Sequence, residues 1–186
     1  MSKTISTSPT ALIQHTQKWL SSVIIGHMLC PFAKREVDRG SIRYAVVESG
    51  DIQTQLEHVM TECTLLSTDT DVETTLIIFP NGLNEFQDYF DALDLANALL
   101  DAQGYCGIYQ LASFHPDYRF DGADDDDPAN YTNRSPYPII HILREASVER
   151  VLKTYPHPDL IPKRNIEKMR GLGIDIMQGL LKACSD

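Results

Sequence analysis

Apolar and polar positions follow two different spacings in the first third of the chain. The apolar residues between Leu12 and Ile24 recur at helical spacing behind Ser8-Pro9, a hydroxyl N-cap followed by proline. They predict a helix that ends near residues 26–28. Residues 41–48 (SIRYAVVE) alternate and are rich in β-formers, and therefore predict a strand. Asp51 is suited to cap a second helix, whose apolar stripe extends to Leu66.

The same two spacings alternate through the middle of the chain. Residues 74–79 (TTLIIF) form an unbroken apolar run, as in a strand covered on both faces. A third helix is predicted from Phe86 to about Leu100, with Asn84 as its cap and Gly104 behind its end. It is followed by strands over residues 107–114 and 138–143.

Residues 116–137 lie between the last two strands and show no periodicity, so they predict a long loop. Helical spacing returns over residues 146–154, again over 160–170, and after Gly173 as far as Cys184. The resulting order, α-βαβαβ-loop-βαα, predicts an α/β fold in a single domain over residues 1–186, with a core of about residues 10–173.

The architecture that we expect is a small mixed four-stranded sheet with helices packed on it. Alternating βα units favour parallel strands joined by right-handed crossovers. The count of strands and helices also fits a thioredoxin-like strand order, which is the alternative arrangement.

Composition narrows the classes of partner. The 26 acidic residues exceed the 16 basic ones, which gives a net charge of −10 and argues against a nucleic-acid partner. No apolar run approaches the roughly 18 residues of a membrane span, and no export signal is recognisable, so we expect no membrane partner and a cytoplasmic location. The four widely spaced cysteines then predict reduced thiols. The sequence identifies neither a cofactor nor an oligomeric state.

The long loop and its flanks, residues 115–144, form the candidate site. Loops of this length in compact domains are uncommon and often functional, and ligands of open α/β sheets bind at the carboxyl edge. His115 and Asp117 are close enough to pair, and a carboxylate that holds an imidazole raises its basicity. His141 lies on the strand face shared by Ile139 and Leu143. These three residues are candidates for acid/base catalysis.

Two arginines of this segment, Arg134 and Arg144, suit a ligand with a carboxylate or phosphate group. Amides and hydroxyls that suit a polar pocket are carried by Asn130, Thr132, Asn133 and Ser135. We therefore expect a small-molecule-binding domain or an enzyme that acts on a small anionic ligand. In the alternative interpretation these loop residues bond to their own backbone and His141 is a satisfied core histidine.

Two further interpretations use the acidic residues of the loop. His115 and Asp117, together with the carboxylates of residues 121–127, are candidate ligands for a divalent metal ion in a hydrolase-type site. The run Asp124–Asp127 lacks the spacing of a calcium loop and is most simply solvated. It is also a candidate surface for a basic partner if the protein is a non-catalytic adaptor.

Cys30-Pro-Phe-Ala33 looks like the active-site turn of glutaredoxins. Proline after cysteine begins a helix whose dipole lowers the thiol pKa, which suggests a thiol or glutathione-linked role for Cys30. A helix rather than a strand precedes this turn, however, and Pro136-Tyr-Pro138 lies one strand later than the thioredoxin cis-proline. A buried structural cysteine is the alternative.

Several segments together give the chain a family resemblance. From about Trp19 to Gly173 it resembles an uncharacterised bacterial family, DUF1415 (domain of unknown function). The resemblance implies a single small cytoplasmic domain and carries no activity or cofactor. The matching segments are Leu29–Ala33, Val72–Leu76, Ala112–Tyr118, Asn130–Pro138, His141–Glu145 and Arg164–Glu167.

Overall fold

Four strands form one mixed sheet in the computed structural model, which describes residues 7–185. They are β1 (Ile42–Val46), β2 (Thr74–Ile78), β3 (Tyr109–Phe114) and β4 (Ile139–Arg144). Across the sheet the order is β1-β2-β4-β3, with β1 parallel to β2 and β4 antiparallel to both of its neighbours. The α/β prediction with a mixed four-stranded sheet is confirmed, and β3 lies at an edge of that sheet.

Helices α3 (Ile52–Thr68) and α4 (Phe86–Ala102) cover one face of the sheet. The predicted cap of α3 is confirmed, because the Asp51 carboxylate accepts a hydrogen bond from the Thr54 amide at 2.9 Å. The capping residue of α4 is Glu85 instead of the expected Asn84, and Glu85 makes no side-chain capping bond. Buried isoleucines of β2 and β4 pack against both helices.

The opposite face of the sheet is covered by helices from both ends of the chain, which surround Leu76, Ile78 and Ile139. The N-cap expected at Ser8 is confirmed, since its hydroxyl accepts from the Ala11 amide at 3.3 Å. Helix α5 follows β4 directly. The helices outside the α3–α4 layer are α1 (Pro9–Trp19), a π-helix (Leu20–Ile25), α2 (Ala33–Arg39), α5 (Glu145–Leu152), α6 (Ile161–Leu172) and α7 (Ile174–Ser185).

The π-helix continues α1 where the sequence predicted one unbroken α-helix. Its hydrogen bonds reach back five residues, as from the Gly26 amide to the Ser21 carbonyl at 3.0 Å. A side chain at Gly26 would collide with the backbone oxygen of Ser22, so glycine is required where the π-helix ends. Short π segments within helices frequently occur at functional sites, and this one contributes two side chains to the cavity described below.

Helix α2 lies between Cys30 and β1, where the predicted element order has no separate helix. It spans only seven residues and ends at Gly40, whose φ of +66° suits a left-handed helix stop. The π-helix and α1 precede the cysteine turn, and all peptide bonds of the described residues are trans, including those of Pro136 and Pro138. The cis-proline of the thioredoxin pattern is therefore absent from this part of the chain.

The long loop contains a short 3₁₀-helix, Pro128–Thr132. Asp127 caps it by accepting from the Ala129 amide at 2.9 Å, and Arg170 of α6 forms an ion pair with the same carboxylate at 2.6 Å. The loop is thereby attached to the helical layer. Within residues 7–185, the helices are all too short or too polar to cross a membrane.

Candidate functional site

His115 is fully buried beside the rings of Phe86 and Tyr89, whose centroids lie 5.4 and 5.1 Å from its own. Its Nδ1 accepts a hydrogen bond from the backbone amide of Asp117 at 3.0 Å. The proton is therefore on Nε2, which donates to the Leu83 carbonyl at 3.0 Å. Burial lowers the pKa of His115, although the bond to Leu83 opposes the shift. We expected a more basic imidazole held by the Asp117 carboxylate, but that side chain is exposed and only its amide binds the ring.

The polar loop residues that we selected as ligand-binding form hydrogen bonds within the loop and with β3. Asn130 is fully buried, accepting from the Phe120 amide at 3.1 Å and donating to the Asp124 carbonyl at 2.8 Å. Asn133 donates to the Ser113 carbonyl at 3.0 Å. The hydroxyls of Thr132 and Ser135 donate to backbone oxygens of Ala129 and Tyr137, at 3.0 and 2.6 Å. These contacts hold the loop in its conformation.

The two candidate anion-binding arginines also donate to backbone oxygens. Arg134 donates to the carbonyls of Tyr118 and Asp125 at 3.1 and 2.8 Å. Arg144 reaches three carbonyls in the segment from the end of α3 to β2, those of Leu66, Asp69 and Val72 at 2.5, 3.3 and 2.9 Å. Both guanidinium groups therefore stabilise the backbone segments whose carbonyls they bind.

Two acidic residues of the loop, Asp125 and Asp127, form ion pairs. Asp125 lies 2.7 Å from Arg119, and Asp127 pairs with Arg170 as described. In the part of the chain that the structure describes, no three histidine, cysteine, aspartate or glutamate side chains are grouped closely enough to hold a metal ion. The metal-dependent interpretation therefore finds no ligand set among the described residues.

A cavity of about 80 Å³ lies on the α1 side of the sheet, between the π-helix, α2, β4 and α5. We call it the His141 cavity. Its apolar wall includes Trp19, Leu20, Ile24, Phe32, Leu76 and Phe114, and its polar residues include Cys30, Glu73, Thr74 and His141. Arg35 and Arg150, which are exposed, contribute to its mouth. Most of its surface is thus apolar, as is usual for small-molecule sites.

The hydrogen bonds of His141 fix its tautomer. The hydroxyl of Thr74 donates its single proton to the Ile142 carbonyl at 2.5 Å, so it can only accept from His141 Nε2 at 2.7 Å. Nε2 therefore carries the ring proton, and Nδ1 keeps a lone pair that has no partner within the described residues. Burial lowers the pKa of His141 to about 4, so the ring is neutral at pH 7.

Glu73 stands directly before β2 and was not among our predicted site residues. Its amide donates to the Ser41 carbonyl at 2.9 Å, which fixes the backbone beside the cavity. Its Oε1 is buried and has no hydrogen-bond partner in the described part of the chain. The sequence feature that could have identified Glu73 is a charged residue directly before an unbroken apolar strand. Buried polar atoms of this kind are uncommon in native proteins and call for an explanation.

Cys30 lies on the wall between the His141 cavity and a second cavity of about 310 Å³, which share Ile24, Cys30 and Phe114. Burial raises the pKa of its thiol, and the amides of Phe32 and Ala33 offset the rise only partly. A glutathione-linked role predicts a lowered thiol pKa, whereas desolvation here outweighs the amides and favours the alternative of a buried structural cysteine.

Helix α6 holds the cysteine turn in place. Asn165 donates to the Leu29 carbonyl at 2.8 Å, and Lys168 donates to the His27 carbonyl at 2.7 Å. Both bonds are to residues within three positions of Cys30, so hydrogen bonds from α6 fix the backbone next to the thiol.

The predicted site residues are therefore divided among three places. His141, Cys30 and Arg144 line the His141 cavity, while Thr132 and Asn133 line the second cavity together with Cys30. The remaining five line neither cavity: His115, Asp117, Asn130, Arg134 and Ser135.

Comparison with known proteins gives one result. A family model described as "Protein of unknown function (DUF1415)" matches residues 11–179. No curated protein and no solved structure matches the chain significantly. Function must therefore be argued from the geometry of the cavities.

Proposed function

The chain belongs to the DUF1415 family, whose function is unknown, and we propose that the protein binds a small molecule in the His141 cavity. The observation that carries this proposal is an apolar cavity whose lining residues include Glu73 and His141, because Glu73 Oε1 and His141 Nδ1 each have no partner among the described residues. A buried polar atom left unpaired costs about 1–3 kcal/mol. A ligand that bonds to these atoms offsets that cost while its apolar part displaces water from the walls.

The proposal moves the site away from the loop that we selected in the sequence. The loop residues have their hydrogen bonds satisfied by neighbouring backbone, and Arg144 donates to three carbonyls. An anionic group would have to be held by Arg35 or Arg150 at the exposed mouth, or by Nε and Nη1 of Arg144, because the three carbonyl bonds of Arg144 all come from its Nη2. The geometry therefore favours a ligand bound through its apolar part and a polar group directed inward.

The only tryptophan of the chain, Trp19, lines the cavity and provides the assay. Titration with small neutral alcohols, n-butanol and cyclohexanol, should give a saturable change in its fluorescence. Val148→Phe places a larger side chain on the α5 wall of the cavity and should weaken binding. Val37→Phe, on the exposed side of α2, is the matched control.

The outcome of this titration decides the proposal. Saturable binding that Val148→Phe weakens and Val37→Phe leaves unchanged supports it. A linear fluorescence change in the natural protein, or the same affinity in both variants, contradicts it.

A thiol-dependent enzyme is the second candidate function. It is favoured by the position of Cys30 on the wall common to both cavities. Incubation with glutathione disulfide, followed by peptide mass mapping, compares Cys30 with the exposed Cys106. Faster mixed-disulfide formation at Cys30, with release of one glutathione, supports this candidate, and modification of Cys106 alone contradicts it.

The cytoplasmic location, the bacterial origin and the core boundaries near residues 10 and 173 stay predictions, as does the absence of a nucleic-acid partner. The adaptor interpretation also stays a prediction. The ion pairs of Asp125 and Asp127 with arginines of the same chain reduce the charge that is free to attract a basic partner.

A further inference from the structure

We propose that the ligand of the His141 cavity carries a primary ammonium group on a short apolar body. This inference rests on the proposed function and specifies the class of molecule. It follows from the chemistry of two atoms of lining residues, Glu73 Oε1 and His141 Nδ1, because both are hydrogen-bond acceptors without a partner among the described residues.

The hydrogen bonds from His141 to Thr74 and from Thr74 to Ile142 can have only one direction, and this direction makes His141 Nδ1 an acceptor. A backbone carbonyl can only accept, so the Thr74 hydroxyl must donate to the Ile142 oxygen. That hydroxyl has no second proton, and His141 Nε2 must therefore donate to it. The lone pair is left on Nδ1, and a ligand that approaches Nδ1 must bring a proton.

Glu73 adds negative charge to the same wall. A carboxylate offers only acceptor oxygens, and its Oε1 is buried without a partner in the described residues. A neutral hydroxyl would satisfy its hydrogen bond but leave the charge uncompensated. An ammonium group supplies three donors and a positive charge, and hydrogen bonds between ionised partners are about twice as strong as neutral ones.

Several hydrogen-bond donors of the cavity wall are already used or lie at the mouth, whereas Nε and Nη1 of Arg144 have no hydrogen-bond partner among the described residues. Thr74 donates to Ile142, and Arg144 donates to three backbone oxygens. Arg35 and Arg150 are exposed at the mouth. Glu36 is a second carboxylate on the wall, where it accepts from the Ser41 hydroxyl at 2.7 Å. The inner wall thus contains the carboxylates of Glu36 and Glu73 and the guanidinium of Arg144, and the preference for a cation rests on the two acceptor atoms of Glu73 and His141.

Three molecules of nearly equal size test the charge preference: n-butylamine, which is protonated at pH 7, n-butanol and butyrate. We expect the natural protein to bind the amine roughly tenfold more tightly than the alcohol and to bind butyrate most weakly. Trp19 fluorescence measures all three affinities.

Glu73→Gln keeps the shape of the side chain and removes its charge. It should reduce amine affinity roughly tenfold and leave alcohol affinity nearly unchanged. Glu149→Gln is the matched control, because it removes the same charge from α5, where the exposed Glu149 side chain pairs with Lys153. It should bind all three molecules like the natural protein.

A measurement on the natural protein covers the case in which the Glu73 variant does not fold. Donation from the amine to His141 should shift the ¹⁵N resonance of Nδ1 away from that of an unbound acceptor nitrogen, and n-butanol should shift it less. An Nδ1 signal that does not respond to saturating n-butylamine contradicts the proposal.

The outcomes separate this inference from the proposed function. If the alcohol binds and the amine binds no more tightly, or Glu73→Gln leaves amine affinity unchanged, the ammonium proposal is wrong and the small-molecule site stands. Tighter binding of butyrate than of the amine also overturns the ammonium proposal. If none of the three molecules binds, both proposals are wrong.

Discussion

His141 should make the protein less stable in weak acid. Its pKa is about 4 in the folded protein because it is buried, whereas an unfolded chain gives histidine a pKa of roughly 6.5. Between these values the unfolded chain binds more protons than the folded protein. The contribution of His141 to stability is therefore complete above about pH 6.5, is lost as the pH falls, and changes little below about pH 4.

The size of the loss follows from the two pKa values. Between pH 7 and pH 5 the unfolded histidine becomes almost fully protonated, while the folded one stays mostly neutral. This difference lowers the free energy of unfolding by about 2 kcal/mol, since one pKa unit corresponds to about 1.4 kcal/mol.

Urea unfolding at pH 7 and pH 5 measures this loss in the natural protein and in His141→Gln. The glutamine amide retains a donor for Thr74 but does not titrate. The lowered pKa of His115 is common to both proteins and cancels in the comparison. The natural protein should lose about 2 kcal/mol more than the variant. Equal losses, or an NMR titration of His141 with a midpoint near 6.5, would refute the reasoning.

Three further predictions concern other residues. Iodoacetamide should alkylate Cys30 more slowly than the exposed Cys106 at pH 7.5, because burial raises the Cys30 thiol pKa; mass mapping that finds Cys30 equally fast contradicts this. Arg144→Lys should lower the free energy of unfolding by about 1–3 kcal/mol, since the shorter lysine side chain does not bring its nitrogen to the position of Nη2, which reaches all three carbonyls. An unchanged urea midpoint would show that those bonds add no stability. Gly82→Ala should cost about 1–3 kcal/mol, because Gly82 has a φ of +87° and its added carbon would contact the facing backbone at 2.6 Å. Gly104→Ala shares a positive φ of +78° but has open space, so it should cost less; equal losses would exclude the collision as a cause.

Local signals account for the parts of the fold that could be predicted from the sequence. Alternation and unbroken apolar runs locate the strands, and Ser8 and Asp51 mark helix starts through hydrogen bonds to amides three residues ahead. Helix α2 has too few residues to establish a periodic pattern. In the π-helix, Leu20 and Ile24 keep approximately helical spacing, so the sequence resembles a continuous α-helix.

The site depends on distant contacts, which explains why it was only partly predictable. Residue type identifies His141 and Cys30 as candidates, and both line the cavity. Residue type does not show which polar groups already have a hydrogen-bond partner in the folded protein. Arg144 donates to carbonyls of residues that lie more than 70 positions earlier in the chain. Glu73 is distinguished by a buried atom that lacks a partner among residues 7–185, a property that exists only in the folded protein.

The position of β4 inside the sheet has a consequence for biosynthesis. In the described sheet β3 pairs only with β4, and β4 joins it to β2, whose residues lie more than 60 positions earlier in the chain. A nascent chain that ends before Ile139 can pair β1 with β2, but one edge of β2, which is fully buried in the folded protein, is then uncovered and β3 has no neighbour in the sheet. Such long-range pairing is slow, and unpaired apolar edges promote aggregation. The ribosome-bound protein should therefore need chaperone protection until its last quarter has been synthesised.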